Sequence, residues 1–338
     1  MNKKKLLILA LSLISLTTNS QNKWFQDVKL SGYGMIQYQG QDKKDAETNT
    51  FGLRLARVAL DGRSHDHFYW KVQMQINGNT HEKMAIRLVD LFGEWQKFDF
   101  FKVKAGQFKR PFTFENPMHP ITQGFMSYSQ NVTKLAGFSD RTGEQPSNGR
   151  DIGIQIQGDF LKVNGRNILH YQVGVFNGEG INTKDNDNRK DIIGGIWVAP
   201  IEGLRIGAFG WTGSRASVGE KNRYAISAEY AKDDWTFRSE YIHSQGYGED
   251  RTKGDKADGI YALCIAPIIK NKFHVKARYD LYRDQKSWGT SKTFYEIGAD
   301  YLFTKNLQLN LEYARVNERT DKGEYNYNLV DVELDIRF

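Results

Sequence analysis

The chain has a single cysteine among its 338 residues, Cys264, so no intrachain disulfide can form even in an oxidising compartment. Past the N-terminus it has no apolar run approaching the roughly 20 residues that a membrane-spanning helix requires. Its mean hydropathy of −0.61 is that of a polar chain. Charge of one sign is also scarce. The net charge is +7, of which Lys3, Lys4 and Lys5 supply three, and the remaining +4 is too mild to argue for nucleic acid as a partner. The seven histidines form no zinc-type spacing, and His65 and His67 flank Asp66 in an expected turn. No G-x-S-x-G or phosphate-loop motif appears. The adjacent His243 and Ser244 would point to opposite sides of an extended strand, out of reach for nucleophile and base.

What is present begins with a leader. Lys3 to Lys5 precede the apolar run Leu6 to Leu16, and Thr18 and Ser20 supply small residues before Gln21. The expectation is a secretory signal peptide over residues 1–20 and a mature domain over 21–338. No cysteine follows the run, so no lipoprotein anchor is expected.

The organising signal is alternation. Val330, Val332, Leu334, Ile336 and Phe338 oppose Asp331, Glu333, Asp335 and Arg337, and the strand ends on an aromatic ring, as the closing strand of a bacterial outer-membrane barrel does. Val28 to Tyr38 repeats the pattern, as do Phe68 to Asn77, Asp151 to Gln157 and Leu169 to Val175. Further repeats are Arg223 to Tyr230, Phe273 to Asp280, Tyr295 to Tyr301 and Leu307 to Tyr313. Less regular strands are expected at 50–61, 84–95, 101–107, 191–198, 204–212, 235–242 and 259–265, which brings the total to sixteen. An even number of strands about 9–11 residues long fits an all-β, antiparallel transmembrane barrel whose average hydropathy stays polar because only alternate residues meet lipid. With 39% hydrophobic residues, 13% aromatic and 32 Gly, the composition suits aromatic girdles and Gly-rich turns.

Connection lengths agree. Short turns at 62–67, 96–100, 159–166, 199–203, 231–234, 266–271 and 302–306 would be periplasmic. Longer loops at 39–49, 108–150, 177–190, 213–222, 243–258, 282–292 and 317–326 would be external, with the short 78–83 as the exception. Tyr38, Trp95, Trp235, Tyr279, Tyr301, Tyr313 and Phe338 fall at strand ends, where headgroup belts belong. Arg54 and Arg57 are three apart and would face opposite sides. A bulge near Ala56 and Arg57 is expected to bring both inside, because an arginine facing lipid costs roughly 2–4 kcal/mol at mid-membrane.

Two stretches carry a family likeness. Ala105 to Pro117, A-G-Q-F-K-R-P-F-T-F-E-N-P, is similar to a Gly-Gln-Phe-Lys-x-Pro-Phe segment, and Phe176 to Asn182, F-N-G-E-G-I-N, with the following Asp/Asn run and Lys190-Asp191, resembles another. Together with the Arg54/Arg57 strand and the terminal Phe338, they make the chain resemble the phosphate-selective porin O/P family. That resemblance implies a sixteen-stranded outer-membrane porin, a homotrimer, with its third external loop folded into the lumen as the constriction. It also implies passage of small anions, phosphate above all, with outer-membrane lipid as the only other partner. The family's ladder of arginines and lysines has no residue-by-residue match here.

The residues themselves nominate a site. The 108–150 segment is the longest connection, and loops of such length are functional or disordered. It carries Lys109, Arg110, Lys134, Arg141 and Arg150 against Glu115, Asp140 and Glu144, a net +2. Inward Lys71, Lys102 and Lys104 would join it, and a low-dielectric constriction so lined attracts anions. Arginine's planar fork matches phosphate, which singles out Arg54, Arg57, Arg110 and Arg150 as contacts, with the lysines as a funnel. The alternative is that these cations neutralise Asp90, Glu94, Glu229, Glu240, Asp280, Glu296 or Glu312 across the lumen. Asp185-Asn186-Asp187-Asn188 spaces oxygen donors as a calcium loop does, but Lys190 stands where that loop needs glycine and Ile196 where it needs an acid, so a solvated loop is expected. No cofactor, metal or catalytic residue is called for. A general, non-selective porin, and a barrel enzyme or adhesin without channel activity, stay open as alternatives.

Overall fold

The computed structural model describes residues 26–64, 67–77, 86–139, 147–215, 219–246 and 255–338. The expected leader, His65, Asp66, the 78–83 loop, Arg141, Asp140 and Glu144 lie outside them. Sixteen antiparallel strands close into a barrel in sequence order, each bonded to its chain neighbours and β1 to β16. The first half comprises β1 (Gln26–Gln41), β2 (Thr48–Arg63), β3 (Phe68–Gln75), β4 (Arg87–Phe98), β5 (Phe101–Lys109), β6 (Arg150–Val163), β7 (Arg166–Phe176) and β8 (Asp191–Val198). The second comprises β9 (Leu204–Arg215), β10 (Gly219–Lys232), β11 (Trp235–Gly246), β12 (Asp255–Ile269), β13 (Phe273–Arg283), β14 (Ser291–Thr304), β15 (Leu307–Thr320) and β16 (Gly323–Arg337). One short helix, α1 (Gln130–Leu135), sits in the long third external loop, L3, with the Ser129 hydroxyl accepting from the Val132 N–H as its cap.

Each expected strand is found, and the alternation runs inside out relative to a soluble sheet. On β14 Ile297 is 61% exposed and its neighbour Glu296 only 8%. On β16 Ile336 and Val330 face outward while Asp331, Glu333 and Asp335 are buried. With water excluded from the bilayer, closing the sheet satisfies every strand edge and leaves the apolar row to meet lipid. Trp235 and Phe338 stand exposed on the outer surface at strand ends, as the belt reading requires, whereas the exposed Tyr279 and Tyr313 fall in mid-strand because β13 and β15 run further than their alternation suggests. At the seam, Gly32 and Phe338 exchange backbone hydrogen bonds of 3.0 Å. The Phe338 ring covers Gly32 so closely that a Cβ there would lie 2.2 Å from it.

Several external strands are longer than the pattern suggested. Thr320 pairs with Gly323, so β15 and β16 meet in a two-residue turn where a loop over 317–326 was expected. Alternation that continues in charged residues beyond the membrane reads as loop, yet its backbone still pairs. The bulge in β2 is present but lies at Arg54: Ile36 pairs with Leu53 and Met35 with Leu55, which leaves Arg54 as the extra residue.

Candidate functional site

L3 leaves β5, crosses the interior and is held on the far wall. Wall carboxylates accept its backbone N–H groups: Glu240 from Phe114 at 2.7 Å and Glu115 at 3.0 Å, Glu312 from Met126 at 2.9 Å, and Asp280 from Gln130 at 2.8 Å. Wall cations donate to its carbonyls: Lys276 to Gly124 at 3.0 Å, Arg278 to Ser127 at 2.8 Å, and Arg223 to Leu135 at 3.0 Å. Hydrogen bonds to charged groups are the stronger kind, so a loop with little regular structure acquires a fixed path.

The loop also carries an apolar underside. Phe112 packs edge-on against Trp211 at 5.5 Å and Phe114 against Phe209 at 5.4 Å. With Val132, Leu135, Phe176, Ile193 and Ile242 they form a buried cluster between loop and wall. Burying a phenylalanine is worth roughly 1.5–3 kcal/mol, so this cluster rivals the polar clamp in holding L3. This cluster covers part of the inner faces of β7 to β11, while another side of the loop looks toward β2.

On that side Arg54, Arg57, Lys109 and Arg150 converge on one cavity of about 260 Å³, together with Pro120, Tyr128 and Asn148. Two departures from strict alternation assemble it. The bulge turns Arg54 inward beside Arg57, the register partner of Tyr33 and Gln75. Lys109 and Arg150 are cross-strand partners on the side that carries the exposed Ala105 and Ile154 lower down. Both nevertheless line the cavity, and below them Gly106 has a φ of +131° with its missing Cβ 2.2 Å from the Leu91 carbonyl, a conformation and an approach that only glycine permits.

The four cations differ in their partners. Arg150 makes a bidentate pair with Asp90 at 2.6 and 3.1 Å. Arg54 reaches both oxygens of Glu333 at 2.9 Å. Arg57 donates to the Tyr33 hydroxyl at 3.1 Å and to Gln75, and Lys109 donates to the Met118 carbonyl at 2.6 Å and the Tyr128 hydroxyl at 2.8 Å. Among the described residues neither Arg57 nor Lys109 is ion-paired with a carboxylate, so the Arg57 guanidinium brings the cavity a positive charge without a paired acid. His119, edge-on to Tyr33 at 4.5 Å, adds none at neutral pH. Burial first, then the charges of Lys109, Lys71, Arg57 and Arg337, push its imidazole down to about 4.

The remaining nominated cations lie elsewhere. Arg110 corrects the expectation of a phosphate contact: it is fully buried, 2.9 Å from Asp151, against the Trp211 ring, and it anchors the start of L3. Lys102 pairs with Asp159 at 3.1 Å and Lys104 with Glu94 at 3.5 Å, on the wall away from the cavity. Lys71 stands on β3 opposite Asp61, Lys134 is half-buried on α1, and Arg141 is outside the described residues. Charge pairing is general, but between nearby strands of the same wall and not across the lumen: Glu296 binds Arg278, Glu312 binds Lys276, and Glu229 binds Arg205 and Arg238. Tyr33 and Tyr128 carry no signal in the sequence, and Glu240, Asp280 and Glu312, read there as counter-ions for the site cations, instead clamp the loop backbone, since nothing in a strand's own pattern says which inward residues will meet a loop. Asp185 accepts from the N–H groups of Asp187 and Asn188 and pairs with Lys190, the geometry of an ordinary turn.

The family model described as phosphate-selective porin O and P matches residues 28–203. No curated protein matches the chain. Among solved structures, the anion-selective porin from Comamonas acidovorans superposes with a TM-score of 0.71 at 14% identity, covering 92% of this chain and 99% of that one. OmpF of Salmonella typhi, in complex with daunomycin, gives 0.70 at 11% identity over 92% and 97%. In-vitro folded OmpT, an outer membrane protein of Vibrio cholerae in its trimer form, gives 0.60 at 13% identity over 92% and 99%. At these identities the likeness shows the fold alone.

Proposed function

The chain belongs to the phosphate-selective porin O and P family, and on that premise we propose that it is a passive, anion-preferring diffusion channel of the bacterial outer membrane that favours phosphate-type solutes. The observation that carries the reading is the convergence of Arg54, Arg57, Lys109 and Arg150 on one cavity beside L3. A dianion entering there meets Arg57, whose charge has no paired carboxylate among the described residues, beside the Lys109 amine and the guanidinium groups of Arg54 and Arg150, which Glu333 and Asp90 hold in place. Phenol hydroxyls of Tyr33 and Tyr128 hold Arg57 and Lys109 without adding a negative charge, so a passing anion is attracted and released. Homotrimeric assembly and export through the leader at residues 1–20 complete the proposal. Support for the trimer comes from the trimer form of the Vibrio cholerae neighbour.

The test is a planar-bilayer measurement of reversal potential in a KCl gradient, followed by single-channel current under added phosphate. Anion preference and concentration-dependent block by phosphate are expected. A cation preference would overturn the proposal, and an absence of conductance would turn the reading to an adhesin or enzyme. One observation favours the runner-up, a general porin. A second cavity, of about 270 Å³, is lined by Asp234, Asp300, Glu333 and Asp335 with His274 and Arg337. A reversal potential near zero would mean that this acidic chamber balances the basic one.

A further inference from the structure

On the β3 side of the β2 bulge, one side chain spans the distorted segment. Asn77, just beyond β3, accepts the Ala56 N–H on Oδ1 at 2.7 Å and donates from Nδ2 to the Leu53 carbonyl at 2.9 Å and the Arg54 carbonyl at 3.4 Å. Among the described residues, regular β2–β3 pairing ends at this side with Arg57 and Gln75, followed by one bond from the Ile76 N–H to the Ala56 carbonyl at 2.9 Å. The Asn77 amide thus stands in for the missing backbone partner, one donor and one acceptor aimed at the distorted turn of chain.

The bulge decides which way Arg54 points. Continuing the register Arg57 to Tyr33 and Leu55 to Met35 without it would pair residue 54 with Ile36, which is exposed on the lipid face. Arg54 would then face lipid, and Leu53 and Phe51, now outward at 61% and 80% exposure, would exchange faces. Glu333 would lose its partner. We infer that Asn77 is a positioning residue for anion selectivity: it locks the bulge that holds Arg54 in the lumen against Glu333. The inference rests on the channel reading, because only there does the placement of Arg54 have a transport consequence.

Two measurements test it. In a Cys264→Ala background, Arg54→Cys should react with a membrane-impermeant maleimide from the aqueous lumen, and adding Asn77→Ala should abolish that labelling. In bilayers Asn77→Ala should shift the reversal potential toward cations and weaken phosphate block about tenfold, the loss of one hydrogen bond to a charged group. Deleting Arg54 restores a regular ladder, so Asn77→Ala on that background should cause no further shift, which a merely structural role would not predict. If Asn77→Ala does not assemble into a heat-modifiable barrel, Asn77→Ser, which can still make one of the bonds, should show the same changes at smaller size. Unchanged labelling together with unchanged selectivity would overturn the inference. Asn77-dependent labelling of Arg54→Cys, together with a wild type that shows no anion preference, would uphold the placement of Arg54 by Asn77 and overturn the anion-channel reading on which its consequence for selectivity rests.

Discussion

Arg110 and Asp151 meet at 2.9 Å with neither side chain exposed. Asp151 also accepts the Gly178 N–H at 2.9 Å, so one carboxylate joins the root of L3, strand β6 and the loop after β7. This pair belongs to the scaffold and not to the conduction path. Arg110→Met should therefore lower the unfolding temperature, by the roughly 3–5 kcal/mol that a stranded buried charge costs, while leaving ion selectivity nearly unchanged. The double variant Arg110→Met/Asp151→Leu should recover most of the loss. Heat-modifiability on gels reads the first quantity and reversal potential the second. A selectivity change as large as that of a cavity variant would place Arg110 on the solute path.

Lys109 and Arg57 line the cavity and, among the described residues, are held only by neutral oxygens. Lys109→Gln and Arg57→Gln should each weaken phosphate block about tenfold, with the barrel still resistant to heat in detergent. Lys102→Gln, whose cation is already paired with Asp159 away from the cavity, should have little effect. Equal effects at all three positions would mean that the whole lumen field, and not one site, sets the preference.

Glu240 pins L3 through two backbone N–H groups. Replacing it by Ala removes two hydrogen bonds to a charged acceptor, each worth about 1.5–3 kcal/mol. On the channel reading, in which the loop narrows the passage, the expected result is a noisier and larger single-channel conductance, since the Phe114 end of the loop is then held by its apolar underside while Glu312, Asp280 and the wall cations keep the rest in place. A quiet trace of wild-type size would show that the aromatic cluster suffices.

His119 sets a pH signature with a definite sign. With its imidazole held to about 4, against an ordinary value near 6.5, it stays neutral through the physiological range. Wild type and His119→Gln should thus be indistinguishable in selectivity between pH 8 and 6. Below about pH 4 the wild type gains a positive charge beside the cavity, and its anion preference should rise above that of the variant. Stability follows the same pKa: between about 6.5 and 4 the unfolded chain binds the proton and the folded one does not, so the His119 contribution to stability is lost as pH falls through that window. A His119-dependent change in selectivity centred near 6.5 would contradict this placement.

The barrel was readable because its rule is local. A strand whose successive side chains face lipid and water must alternate, and Phe273 to Asp280 or Leu307 to Tyr313 obey that rule without reference to any other part of the chain. The requirement that both Arg54 and Arg57 avoid lipid was local too, and it implied a bulge close to its observed place at Arg54. The site was less readable. The same residue types that converge in Arg57 and Lys109 also occur in Arg110, which is sealed beneath L3, and in Lys104, which is paired with Glu94.

From its own order of residues the chain determined sixteen strands, their inner and outer faces, and the long loop that sits between β5 and β6. Only the closed structure decided where that loop lies, which cations lack a paired carboxylate, and that Phe112 and Phe114 cover part of one inner wall. The physical reason is one of range. Alternation answers to the bilayer and is felt residue by residue, whereas a cation's availability depends on carboxylates such as Asp90 and Glu333 that only barrel closure brings beside it.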